Sequence, residues 1–154
     1  MITFLLIVHS ILAVTLLGAI THQAVSVSWP NRERARSFVA SFRGVNGMTY
    51  TNAIIVLFLA TAVIGSIIYP SYRVGIRTVL QRLRLLGPEG LFELKEHFVA
   101  LGAAMLPAYW YFWRGSTADA NRRTRTILTV ILAFVVWWAF VVGHILNNIR
   151  GFGS

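Results

Sequence analysis

Charge is the scarcest property of this chain. Of its 154 residues only 12% are Asp, Glu, Lys or Arg, about half the share of a soluble domain. A chain so poor in charge has no means of covering its own surface in water. Acidic residues are rarest, five against fourteen basic ones, for a net charge of +9. The arginines sit beside apolar stretches, where lipid phosphates rather than nucleic acid are the expected partner. Cysteine is absent, which excludes disulfides and thiolate metal sites. The sequence has no HExxH, no Gly-rich phosphate loop and no intramembrane Ser/His/Asp set, which argues against a hydrolase. It has no inverted repeat, which argues against a transporter of this size. With no internal repeat or low-complexity tract, it reads as one domain.

Apolar residues are abundant, at 56%, and they are clustered. Stretches run from Ile2 to about Val27, Asn52 to Tyr69, Phe98 to Trp113 and Ile127 to Ile145. A helix crossing a bilayer needs about 20 mostly apolar residues, about 17 at the short end. All four meet this, the third only with part of its polar lead-in. The expected fold is an all-α integral membrane four-helix bundle, up-down-up-down, with spans over about 2–27, 50–71, 94–113 and 126–148. The first stretch has no Lys or Arg ahead of it and outruns a signal-peptide core, so it reads as a retained span.

Four spans put the first and third connections on one side. Those connections hold Arg32, Arg34, Arg36, Arg43, Arg114, Arg122, Arg123 and Arg125. Arg73, Arg77, Arg82, Arg84, Lys95 and Arg150 fall on the other side. Eight basic residues against six place both termini outside the cytoplasm. Trp29, Tyr50, Trp110 and Trp113 are expected at the first interface, and Tyr69 and Tyr72 at the second. After the second span, Ile76, Val79, Leu80 and Leu83 fall on one helical face and Arg73, Arg77 and Arg84 on another. That spacing fits a short helix lying in the interface or an extension of the second span. Pro107 removes a backbone donor inside the third span and should kink it. Thr61 with Gly65, and Ala62 with Ser66, let a neighbouring helix or a flat cofactor approach closely.

Ionisable residues inside spans are costly and mark function by default. All four histidines lie in or at spans. Topology places His9, His97 and His144 near one membrane face and His22 alone near the other. His9 and His22, 13 residues apart, fall on nearly opposite faces of their helix. His22 therefore reads as a hydrogen-bonded interfacial residue near Thr21 and Gln23, and one haem as the maximum for a single chain. In an up-down bundle the first and third helices are diagonal, which suits ligation of one macrocycle from both sides. His97 is followed along its face by Ala100, Ala104 and Ala108, a lane that leaves room for a haem plane or for tight helix packing. The expected ligand pair is His97 with His9, with His144 as the alternative, Trp137 and Phe140 lying on the face of His144.

The segment LFELKEHFVALG, residues 91–102, opens the third span with Glu93, Lys95, Glu96 and His97. Glu93 is one turn before His97 and so placed to fix its tautomer. Lys95, Arg73 and Arg77 at the same interface are candidates to hold haem propionates. The plainer reading of these charges is that they complement the helix dipole and mark the water boundary. YPSYRVGIR followed by LFELKEH resembles a pattern in small bacterial four-helix membrane proteins, and the bundle as a whole resembles compact b-type cytochromes and copper-resistance D-like membrane domains. The resemblance implies a multi-pass protein of the bacterial inner membrane. Families of the b-type often carry two histidine pairs at two depths, from which this sequence departs at His22. Three readings follow. The first is a b-type cytochrome with one bis-His haem b, an electron-transfer protein or subunit rather than a stand-alone enzyme, serving a quinone or other membrane donor and membrane or periplasmic redox subunits. The second is a copper or zinc site on His9, His97 and His144, with Glu93 as a further ligand. The third is a cofactor-free subunit of a larger membrane complex, whose mark would be histidines directed at partner helices.

Overall fold

The computed structural model describes residues 1–28, 47–82, 86–114 and 121–151. The arginines of the first connection, Trp29, Leu83 and Arg84 lie outside the described residues. Helix α1 spans Ile2–Ser28 and α2 Gly47–Ser71. A π-helical turn over Tyr72–Ile76 leads directly into α3, Arg77–Arg82. Helix α4 covers Leu86–Trp113 and α5 Arg122–Gly151. The described residues contain no strand.

The long apolar helices α1, α2, α4 and α5 form an antiparallel up-down bundle, as the even spacing of spans requires. Gln23 and His22 of α1 meet Thr51 and Tyr50 of α2, while His9, half the helix away, meets Gly65. Phe58 of α2 packs at Gly102 of α4, and Val135 of α5 packs at the same point. Neighbours around the bundle are α1–α2, α2–α4, α4–α5 and α5–α1, which leaves α1 and α4 diagonal and parallel. They are linked through the centre, where the Tyr109 hydroxyl donates to Gln23 Oε1. Leu16, Ile20, Ile54, Phe58, Leu106, Leu132, Val135 and Val136 fill the interior around this contact.

The outside of the bundle is as apolar as the inside. Phe4, Ile7, Ile11 and Val14 on α1 and Val56, Leu59, Val63 and Ile67 on α2 are exposed. In water such a surface would aggregate; in a bilayer it is the solvated one. Ser10, Thr15, Thr61 and Ser66 hand their hydroxyl protons to the carbonyl four residues back, at 2.7–2.9 Å, so no span carries those polar groups bare into lipid. Among the described residues three helical stretches, Ile2–Ser28, Met48–Gly75 and Arg122–Leu146, are long and apolar enough to cross a membrane. The protein is a membrane protein.

The expected third span differs. Helix α4 has the length, 28 residues, but Glu89, Glu93, Lys95 and Glu96 occupy its first half. Its uninterrupted apolar part, Phe98–Trp113, is about 24 Å long against a hydrocarbon core of about 30 Å. The helix continues through Pro107 as one element. The segment after the second span is an extension of it. Pro70 supplies no N–H, the Arg77 N–H reaches back to the Tyr72 carbonyl, and the widened π turn carries the chain into α3, which packs against α4.

Candidate functional site

The bundle has two polar ends of different construction. At the end of the first and third connections, Gln23, Thr51 and Thr129 are buried almost completely. Gln23 accepts from Tyr109 and donates its Nε2 to Thr51 Oγ1 at 3.1 Å. The Trp113 indole donates to Thr129 Oγ1 at 3.2 Å, and Thr129 passes its own proton to the Arg125 carbonyl at 2.7 Å. His22 Nδ1 lies 3.2 Å from the Tyr50 hydroxyl, in keeping with the hydrogen-bonded role read for it. Trp113 is buried in this network beneath the Arg125 guanidinium, 4.7 Å from its ring centre, while Trp110 stays on the surface under Arg114. The sequence reading missed Thr51 and Tyr109 and named Gln23 only as a neighbour of His22. The signal available was a glutamine and a threonine placed where lipid-facing positions would not tolerate them.

The other end holds three histidines. The offset of 86 residues between Gln23 and Tyr109 sets His9 beside position 95 of α4, and the His9 ring lies within the electrostatic reach of Lys95 and Glu96. The Trp113–Thr129 and Gly102–Val135 pairings set His144 within about a turn of His97. The three imidazoles thus share a depth, as topology requires. They do not share a face. The His9 ring is half-buried between α1 and α2, close to the Thr61 backbone, and a Cβ on Gly65 would stand 3.1 Å from its Cε1. His97 is exposed, with Nδ1 donating to the Glu93 carbonyl at 2.7 Å. That bond fixes its tautomer and leaves the Nε2 lone pair directed away from its own helix. His144 is exposed and stacked on Phe140, ring centres 6.4 Å apart at 4°. Among the described residues no three His, Cys, Asp or Glu side chains gather where they would hold a metal ion.

The lane of Ala100, Ala104 and Ala108 is exposed along the outer face of α4 with His97; it lines the outside of the bundle. Trp137, on the exposed side of α5, donates to Thr21 at 2.9 Å. The small residues of α2 do admit a close neighbour, the His9 ring at Gly65.

The charges named from sequence are engaged with one another. Arg77 pairs with Glu89 at 2.6 Å and Glu93 at 3.0 Å, and the hydrogen bond to Glu89 leads in raising its pKa above the ordinary arginine value. This clasp ties α3 to the start of α4. The Glu93 carboxylate therefore serves Arg77, and only its backbone serves His97. Lys95 pairs with Glu96 at 2.9 Å and lies over the Phe92 ring at 4.3 Å. Tyr69, Tyr72 and Phe92 stack at the same interface, Tyr72 and Phe92 at 3.9 Å. Arg73 is exposed. Comparison with known proteins finds no match to this chain, whether among family models, curated proteins or solved structures.

Proposed function

We propose that this membrane protein is an electron carrier of the b-type cytochrome kind, in a bacterial cytoplasmic membrane, with His97 as one axial ligand of a single haem b. The observation that carries the reading is the bond from His97 Nδ1 to the Glu93 carbonyl. A ligating imidazole characteristically gives its second N–H to such an acceptor, which fixes the ring and raises its basicity. Beside it, the exposed alanine lane leaves space for a flat macrocycle. Of the two candidates for the second ligand, His144 fits better. It is exposed at the depth of His97, whereas the His9 ring is wedged at Gly65. With Arg77 held by two carboxylates and Lys95 paired with Glu96, Arg73, which is exposed, is the cation of the three best placed for propionates. A bound haem would supply one-electron transfer, between a membrane donor such as a quinol and membrane or periplasmic redox subunits.

Protein purified gently from haem-sufficient cells should show a Soret band and a reducible α band. His97→Ala should abolish the low-spin spectrum, Ala104→Trp should lower haem loading, and His144→Ala should leave five-coordinate iron. Wild-type protein without Soret absorption would overturn the reading. Exposure of both His97 and His144 on the outer surface favours, as second reading, a cofactor-free subunit that turns these histidines toward partner helices. A copper or zinc site would need ligands from outside the chain, and metal analysis of the same sample tests it.

A further inference from the structure

Four buried side-chain polar atoms among the described residues have no hydrogen-bond partner: His9 Nδ1, Tyr72 Oη, Trp138 Nε1 and Arg125 Nε. Three of the four are at the histidine end. Tyr72 stacks on Phe92, His9 is level with position 95 by the α1–α4 register, and Trp138 packs on Phe98. Six residues of α4 separate the first level from the last, about 9 Å along the axis. A bare polar atom costs about 1–3 kcal/mol even inside a protein, and lipid offers it no substitute. Three at one end, within about 9 Å along the axis and each on a half-buried residue, are difficult to explain as accident when the opposite end has one, Arg125 Nε, beside an otherwise closely hydrogen-bonded network.

We infer that His9, Tyr72 and Trp138 form a seat for the headgroup of a lipid-soluble quinone or quinol. The donor set selects this class. The Tyr72 O–H and Trp138 N–H offer protons and call for acceptor oxygens. The His9 ring lies by the Thr61 backbone carbonyl, and in the tautomer that turns Nε2–H to it, Nδ1 is an acceptor that calls for an O–H. A flat ring with oxygens at opposite ends, carbonyl when oxidised and hydroxyl when reduced, meets both demands. Phe92, Phe98 and Phe134 supply aromatic surface, Phe134 stacked on Trp138 at 6.4 Å. The absence of a side chain at Gly65 lets the imidazole sit close, since a Cβ there would stand 3.1 Å from its Cε1. This seat would give the electron-carrier reading its donor site, yet binding there needs no haem.

The test is equilibrium binding of decylubiquinone to the full chain in lipid nanodiscs, with haem-free and haem-loaded samples measured separately. Saturable binding is expected in both. Tyr72→Phe and Trp138→Phe should each weaken it about tenfold, the loss of one hydrogen bond to a buried partner; His9→Leu should do the same to the reduced form, decylubiquinol, whose hydroxyl can donate to Nδ1, and the triple variant should bind neither form saturably. His22→Ala, at the other end, should bind like wild type. The unliganded Tyr72→Phe and Trp138→Phe proteins should melt no more than a few degrees below wild type, which separates a lost contact from a lost fold. Mere partitioning of the quinone into wild-type nanodiscs would overturn the seat and leave buried water as the partner of these atoms. So would equal affinity in all variants. Saturable binding without any Soret band would retire the haem and keep the seat.

Discussion

The two polar ends of this bundle use the same kinds of residue in opposite ways. At one end a glutamine, a tyrosine and a threonine are buried and bonded to each other across three helices, and a second buried threonine is bonded to the Trp113 indole. At the other, a histidine, a tyrosine and a tryptophan are buried at one polar atom each and bonded to nothing there. In lipid an internal hydrogen bond contributes little net stability, about 0.6 kcal/mol on average, because the separated helices also find partners. Its value is in specificity: Gln23 and Tyr109 can meet only when α1 and α4 are diagonal and in this register. The first end thus sets the geometry, and the second spends that order on atoms kept available for something else.

The largest expected effect follows from this contrast. Gln23→Leu leaves the Tyr109 hydroxyl and Thr51 without their bonds to it. At about 0.5–1.5 kcal/mol for each of the two bonds lost, reversible unfolding in mixed micelles should lose about 1–3 kcal/mol. Tyr72→Phe removes a hydroxyl of the same kind that has no partner and should stay within about 0.5 kcal/mol of wild type, or exceed it. Equal losses in the two variants would erase the distinction between the ends.

Next in size are the glycines at close helix contacts. A Cβ at Gly102 would meet Phe58 Cζ at 2.9 Å and Val135 Cγ1 at 3.0 Å, both inside a packed core. Gly102→Ala should cost about 1–3 kcal/mol, the usual range for overpacking. At Gly65 the obstacle is one edge of a histidine ring at 3.1 Å, half-buried and able to turn. Gly65→Ala should cost less than about 1 kcal/mol in the same assay, while shifting the His9 ring resonances in NMR. A larger loss at Gly65 than at Gly102 would mean that the histidine end is the more rigid.

Much of this was legible in the sequence because lipid imposes simple rules. Apolar length gave the helices, alternation of direction gave the diagonal pair α1 and α4, and counting along the spans put His9, His97 and His144 at one depth. The facing of side chains was not legible. Ala100, Ala104 and Ala108 follow His97 at helical spacing, and nothing in that spacing says whether the lane looks inward or outward. The answer depends on Tyr109 and Leu106 filling the centre, which turns the alanine face out. The partners of the charges were hidden for a similar reason. Glu93 is one turn from His97 in sequence, but the helical extension through the π turn brings Arg77 to it first.

The smallest expected effect concerns that extension. Arg77 holds α3 against α4 by a partly exposed fork to Glu89 and Glu93. Exposed pairs are screened by salt and contribute little to global stability, so Arg77→Ala should leave the unfolding midpoint unchanged. Its consequence should be local. Helix α3 is six residues long, too short to persist by propensity alone, and it depends on contacts with α4. Amide hydrogen exchange over Thr78–Arg82 should therefore accelerate in Arg77→Ala, and less strongly in wild type at about 1 M salt, where charges interact over only about 3 Å. Exchange within α1 and α5 should not change. Because Glu93 would lose its cation while its backbone carbonyl kept the His97 bond, the His97 tautomer should also persist, readable from its ring nitrogen shifts. If the tautomer changed with the clasp, the charges at the mouth of α4 would be part of the histidine site rather than a fastening beside it.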